Sequence, residues 1–390
     1  MSSATQTAQH GLSEHSHGAG VPIQTRYERL RSTNVADFPP VSPREEQWRY
    51  LSADRLAGLD ADSLVAEFIG DLAVTHTDGV TTAWVGEDNA AFGGAGIPEE
   101  RPSAAAWGSA KQAYLVTVPG NQKSDVQIAL SSESADPSAI HIIIEAKPFA
   151  EATVILDHKG HAVLGENVEI IVGDEAQLTV ISIQDWDDKS VHASTQMARL
   201  GRNSRLKHLV VSLGGKVVRV ASSTEFTQPG GDTEMLGMYF ADAGQYLENR
   251  LYVDHAVPNC KSRVTYKGAL QGEKAHTVWV GDVLIRMAAE GTDTYELNRN
   301  LLLTDGARAD SVPNLEIETG KIEGAGHASA SGRFDDEQLF YLQARGITEI
   351  EARRLVVRGF LNEIIQQIDN EEIRERLSNS IEAELARSGS

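Results

Sequence analysis

Val168-Glu169-Ile170-Ile171-Val172 runs directly into Gly173-Asp174-Glu175-Ala176, a β-branched string closed by a glycine and acid turn. Branched side chains fit a pleated surface, and glycine followed by Asp supplies a tight reversal. The same texture recurs from Ala113 to Arg333, in Tyr114-Leu115-Val116-Thr117-Val118 and Asp125-Val126-Gln127-Ile128-Ala129-Leu130. Turn clusters punctuate it at Gly214-Gly215, Pro229-Gly230-Gly231-Asp232, Ala241-Asp242-Ala243-Gly244, Gln271-Gly272-Glu273-Lys274 and Glu290-Gly291-Thr292-Asp293. No interval between them has room for a crossover helix, which removes a doubly wound α/β fold. A sandwich, a closed barrel and a stacked solenoid all remain. Strings that are continuously apolar favour strands buried on both faces or coiled on one another.

Beyond Arg333 the pattern becomes helical. Asp335 or Asp336 caps a helix that ends at Arg345-Gly346, and Thr348-Glu349-Ile350-Glu351 is a capping box opening a second. Ala352, Leu355, Val356, Phe360, Ile364 and Ile368 form one stripe along it, and Ile373, Leu377, Ile381 and Leu385 recur every four residues in a third helix. These stripes cover the sheet or receive a partner; Leu355, Val356, Phe360 and Ile364 are the candidate partner-binding residues. On the other side, residues 1–22 are a polar leader, expected to be disordered, carrying His10, His15 and His17. Arg26 to Arg31 has helical character, Ser42-Pro43 presents a helix start ahead of Trp48 and Leu51, and Asp60 to Leu72 is a further helix candidate. The expected division is a leader (1–22), a mixed, partly helical unit (23–110), a β core (111–333) and a helical end (334–390).

The chain has 390 residues, 41% of them apolar, enough for a substantial core. Its 35 basic and 56 acidic residues give a formal charge of −21, which disfavours nucleic acid and anionic membrane surfaces. The apolar strings are too short to span a bilayer and no export signal is visible, so a cytoplasmic location is expected. A single cysteine, Cys260, excludes an internal disulfide framework and an all-cysteine cluster site within one chain.

Catalytic motifs are missing: there is no phosphate loop, no Gly-x-Ser-x-Gly elbow and no His-Glu-x-x-His. Metal-capable residues are scattered over Asp254-His255-Ala256-Val257-Pro258-Asn259-Cys260-Lys261-Ser262, His276 and His327, with spacings that match no finger or ribbon. Cys260 and His255 suit a turn or a buried structural role as well as a ligand set. His327 follows Gly324-Ala325-Gly326, whose bare backbone admits a close neighbour, so interface or ligand use stands beside a structural one.

Taken together, these residues resemble the SufB/SufD family of iron–sulfur cluster assembly proteins, and the SufD member more than SufB. The likeness is carried by Asp254 to Ser262 with Tyr266-Lys267-Gly268, by Arg299-Asn300-Leu301-Leu302-Leu303 through Ser311-Val312-Pro313-Asn314-Leu315-Glu316-Ile317, and by His327 with Asp336-Glu337-Gln338-Leu339-Phe340-Tyr341-Leu342-Gln343-Ala344-Arg345-Gly346-Ile347. Glu46-Gln47-Trp48-Arg49-Tyr50 is similar to the family's N-terminal segment. The resemblance implies a right-handed parallel β-helix flanked by helical N- and C-terminal domains. It implies a non-catalytic scaffold subunit that pairs with a SufB-like paralogue, or with itself in isolation, and docks a SufC-like ABC ATPase on its C-terminal helices. In the family, a SufB cysteine before the Leu-Leu strand holds the nascent cluster across the interface from a SufD histidine. Asn298-Arg299-Asn300 stands in the cysteine's place and His327 in the histidine's. The resemblance therefore implies iron or an Fe–S cluster held transiently by His327 and shared with the partner, none bound tightly by this chain alone, with Cys260 a secondary candidate. The competing readings are a stand-alone metal-binding module and a β-helix carbohydrate-active enzyme.

Overall fold

The computed structural model describes residues 29–334 and 336–387. The leader with its three histidines lies outside them, as does Asp335. Ahead of the core lie β1 (Ala66–Glu67), β2 (Asp71–His76), β3 (Thr81–Val85) and α1 (Arg101–Ser109). The core runs through β4 (Ala113–Val118), β5 (Lys123–Ala146), β6 (Glu151–Val172), β7 (Gln177–Trp186), β8 (Val191–Leu200), β9 (Arg205–Ser212), β10 (Val217–Phe226), β11 (Asp232–Ala241) and β12 (Tyr246–His255). It continues with β13 (Lys261–Leu270), β14 (His276–Ile285), β15 (Asp293–Leu302), β16 (Arg308–Ile317) and β17 (Gly324–Arg333).

From β7 on, each strand pairs with the strand two places on, always parallel. Gln177 lies beside Arg205, Arg205 beside Asp232, Asp232 beside Lys261, Lys261 beside Asp293 and Asp293 beside Gly324. The even-numbered strands β8 to β16 form a second stack in the same way, and the long β5 and β6 each contribute to both. The result is a parallel solenoid, and the sandwich and barrel drop out. Short arcs join the two sheets, and they need the left-handed backbone that the turn clusters supply: Gly272 has φ of 81°, and a Cβ there would lie 2.8 Å from that of Ala243. Between the sheets the early rungs are filled by Ile128, Ile142, Val154, Leu164 and Val180, each at most 1% exposed. Rungs buried on both faces explain why the strings are continuously apolar.

The two ends differ. At the N-terminal end β2 pairs antiparallel with β5 and β3 antiparallel with β4, which closes both stacks. At the other end, among the described residues, β16 and β17 each have a ladder neighbour on one side only. Pro313 sits in β16, where the N–H it lacks costs little on an edge strand.

The N-terminal segment is less helical than expected. Glu46–Trp48 is one 3₁₀ turn, long enough to bury Trp48 and Leu51 on the coil, each 1% exposed. Asp60 to Leu72 contains β1 and the start of β2, because the backbone of β5 at Ser138 and Ala139 is open to pairing. Arg29 to Arg31 form no helix; Arg29 lies over the Tyr252 ring at 3.6 Å and reaches Glu99 and Asp282. Arg219 fastens this segment: it is 1% exposed, pairs with Glu100 and Glu248, and lies 4.2 Å over the Trp48 ring.

After β17 come α2 (Asp336–Gln343), α3 (Glu349–Ile365) and α4 (Glu371–Arg387). Thr348 and Glu351 close the capping box as expected. Val357, Leu361, Ile364, Ile365, Ile373, Leu377 and Ile381 pack against Ile181, Leu209, Leu236 and Phe240 on the outer face of the odd-numbered sheet. Arg376 clamps Asp157 through two bonds of 2.7 and 2.9 Å, and Lys267 donates to the Phe360 carbonyl at 3.2 Å and pairs with Glu363.

Candidate functional site

In a parallel ladder, paired residues point to the same face, so each inward row is read along the register. At the uncapped end the rows are Val264, Glu296 and His327; Tyr266, Asn298 and Ser329; and Gly268, Asn300 and Ser331. His327 therefore stands on the last rung, in the row of Glu296, and is exposed. The lumen beneath it is polar. Tyr239 donates its hydroxyl to Asn300 Oδ1 at 2.6 Å, Asn298 Nδ2 donates to that hydroxyl at 2.9 Å, and Ser311 donates to Asn298 Oδ1 at 2.7 Å. Asn300 Nδ2 reaches Ser331 at 3.2 Å, tying the last rung to the one below. Gly268 makes this network fit, since a Cβ there would lie 1.8 Å from the Tyr239 ring. Burial pushes the Tyr239 and Tyr266 hydroxyls well above their ordinary range, so both stay neutral.

Glu296 is 1% exposed and neither carboxylate oxygen has a hydrogen-bond partner. Burial, with a smaller push from Asp282, raises its pKa to about 8. It faces Gly281 across the lumen, where a Cβ would lie 2.6 Å from Oε1.

Deeper in the coil, His158, Glu166 and His192 are fully buried, with ligand atoms within 4.8 Å of one another, the one such group of three among the described residues. His158 Nδ1 donates to the Ile183 carbonyl at 2.9 Å while Nε2 meets Glu166 Oε1 at 2.9 Å. Burial opposes charge on both, but the attraction prevails: His158 is held above its ordinary pKa and Glu166 well below its own. Burial lowers His192, whose Nδ1 accepts from Trp186. These are the bonds of a buried ion pair with a neutral neighbour. A metal ion would have to replace both the His158 contact and the Nε2 proton of His192.

The scattered candidates do not converge into a group of three among the described residues. Cys260 is buried, its thiol lies 3.5 Å from the Pro258 carbonyl, and burial pushes its pKa up, so it is an unreactive core thiol. His255 bonds Ser262 at 2.9 Å against the Phe226 ring, and His276 bonds Asp310 at 2.7 Å. On α3, Ile364 is buried in the chain's own core at 2% exposure, Val356 and Phe360 are half-buried against it, and Leu355 is 47% exposed. Glu296 and the His158 trio escaped sequence reasoning because their neighbours come from different rungs, and no local spacing marks them.

The family model described as SUF system FeS cluster assembly, SufBD core domain, matches residues 129–360. An iron–sulfur cluster assembly SufBD family protein of Mycobacterium leprae is 51% identical over 377 residues, covering 94% of this chain and 96% of that one. One from Mycobacterium bovis is 50% identical over 367 residues, 92% of each. A second SufBD family protein of Mycobacterium bovis is 28% identical over 204 residues, 52% of this chain and 24% of that protein.

Proposed function

Because the chain belongs to the SufBD family of iron–sulfur cluster assembly proteins, we propose that it is the SufD-like scaffold subunit, meeting a SufB-like paralogue through the uncapped end of its coil. The observation that carries this reading is the asymmetry of the solenoid: antiparallel strands close one end, while β16 and β17 end the other with bare ladder edges and an exposed His327. An edge strand as small-residued as Gly324-Ala325-Gly326-His327-Ala328-Ser329-Ala330-Ser331 calls for a partner, since open ladders otherwise recruit unwanted ones. The presence of two unequal family members in Mycobacterium bovis fits a heteromeric pair.

The nascent cluster is the cargo of this interface. Cys260 is buried in the core and Asn298 and Asn300 are engaged in the lumen network, so thiolates come from the partner and His327 supplies an imidazole. An ABC ATPase of the SufC type docks on the exposed side of α2 and α3, where Phe340, Tyr341 and Leu355 are 72%, 56% and 47% exposed. Nucleotide-driven closure of the ATPase pair pulls on these helices, and the contacts of α3 and α4 with the coil, through Lys267–Glu363 and Arg376–Asp157, pass the motion to the sheet. The chain itself performs no catalysis and works in the cytoplasm.

Co-expression with a SufB-like and a SufC-like partner tests this. The complex carrying His327→Ala is expected to assemble with unchanged stoichiometry and to form little cluster on reconstitution; undiminished cluster yield would remove His327 from the role.

A further inference from the structure

Seven carboxylates are buried among the described residues, and six are matched. Glu100 and Glu248 share Arg219, Asp157 takes Arg376, Glu166 lies between two histidines, Glu169 takes His141 and the amides of Gly93 and Ala95, and Asp254 takes Arg286. Glu296 is the seventh, and both of its oxygens lack a hydrogen-bond partner. A chain that pairs every other buried acid and leaves this one bare keeps an acceptor for something else, because an unmatched buried carboxylate is among the costliest groups a fold can hold.

Its position says what that is. The ladder sets Glu296 one rung below His327 in the same inward row, so carboxylate and imidazole point the same way. Adjacent rungs are about 4.8 Å apart, a spacing that one small cation bridges with bonds of about 2 Å to each side chain. On the opposite wall a Cβ at Gly281 would lie 2.6 Å from Oε1 and 2.5 Å from the Trp279 ring, so the bare glycine is what leaves room for the carboxylate beside the indole. Oxygen and imidazole nitrogen together suit divalent ions of the borderline class, iron and zinc among them, better than calcium or magnesium.

We infer that Glu296 and His327 form a two-residue seat for a divalent transition-metal ion at the open end of the coil, the carboxylate its inner ligand and the imidazole its outer one. The inference deepens the reading of His327 as the group that meets iron, and rests on it. It adds a hard oxygen donor supplied by this chain, so an iron ion can be held here before any thiolate reaches it.

The test is a Co²⁺ titration of the full chain purified alone, followed by visible absorption and by the Co²⁺-dependent rise in melting temperature. The leader histidines are common to all variants, so differences between variants report on the rung. Wild type is expected to bind one Co²⁺ that depends on both residues, with Glu296→Gln and His327→Ala each weakening it at least about tenfold. Circular dichroism verifies that Glu296→Gln is folded. If Glu296→Gln titrates as wild type while His327→Ala does not, the inference is overturned and the role of His327 stands. If all three chains titrate alike, the seat does not exist, and cluster formation by the His327→Ala complex decides the role of His327 separately.

Discussion

The indole N–H of Trp186 donates to Nδ1 of His192 at 3.0 Å. An acceptor at Nδ1 places the neutral ring's proton on Nε2, which faces Glu166 Oε2 at 3.4 Å, so Glu166 is met by His192 on one side and protonated His158 on the other. Ser194 donates to Oε2 at 2.6 Å. Replacing Glu166 by Gln leaves an imidazolium in the lumen without its counter-charge. The expected cost is about 3–5 kcal/mol, the range for a buried pair broken on one side. Urea unfolding at pH 7 measures it; a loss below about 1 kcal/mol would show that His158 is neutral. Chelator treatment is expected to leave the wild-type midpoint unchanged.

Two other lumen histidines set the acid limit of the fold. Burial lowers His208 to about 4, with Nδ1 unpartnered, and lowers His255 to about 3 against a small opposing pull from Asp293. Both are bases whose folded pKa lies below the unfolded value of about 6.5, so between these values the unfolded chain binds more protons and stability falls as pH falls. From pH 7 to pH 5 each contributes a loss of about 2 kcal/mol. His208→Gln and His255→Gln are each expected to flatten the pH dependence by about that amount, seen as a smaller shift of the urea midpoint between the two pH values. A variant slope identical to wild type would mean that the ring is protonated in the fold.

Glu296 tilts the balance the other way. Its pKa of about 8, raised first by burial and then by Asp282, means the folded chain keeps a proton that the unfolded chain has released above about pH 4.5. Stability from this group falls as pH rises towards 8. Glu296→Gln removes the dependence, and the variant is expected to be more stable than wild type by about 3 kcal/mol at pH 7 and by about 1 kcal/mol at pH 5. Thermal melts at both pH values decide it; a destabilised variant at pH 7 would show that the carboxylate is matched in the fold. A residue whose replacement stabilises the chain is retained for a reason other than stability.

The turn clusters and apolar strings made the β core legible, because arcs of the solenoid must carry residues such as Gly272 that tolerate left-handed backbone, and rungs such as Ile170 are buried whatever sheet they join. They could not separate solenoid from sandwich, since pairing partners 26 residues apart, as Glu151 and Gln177 are, leave no local mark. The capping box at Thr348 and Glu351 was legible because it is a bond within four residues. Ser42-Pro43 misled: Ser42 accepts from the Arg44 amide at 3.3 Å in a turn, the 3₁₀ turn that follows starts at Glu45 without a side-chain cap, and Trp48 and Leu51 reach the coil after that single turn, so packing overrode propensity. At the site, His327 stood out through its glycine neighbours. Glu296 did not, because its meaning comes from the rung above.

The stripe on α3 divides into an inward and an outward part, and the two predict opposite behaviour. Ile364 is 2% exposed against Leu209, Leu236 and the other aliphatic residues of the sheet face, whereas Leu355, nine residues and about two and a half turns earlier, is 47% exposed. Ile364→Asp buries a charge with no counter-ion and is expected to detach the helices from the coil, seen as a lower melting temperature and rapid proteolysis after β17. Leu355→Asp leaves the buried face intact, so stability is expected to change by less than about 0.5 kcal/mol. If an ATPase covers this side, the same variant weakens its capture in a pull-down with purified SufC-like protein, because a carboxylate replaces an apolar contact at the buried centre of the interface. Capture equal to wild type for Leu355→Asp, with Phe340→Asp also without effect, would place the docking surface elsewhere on the chain.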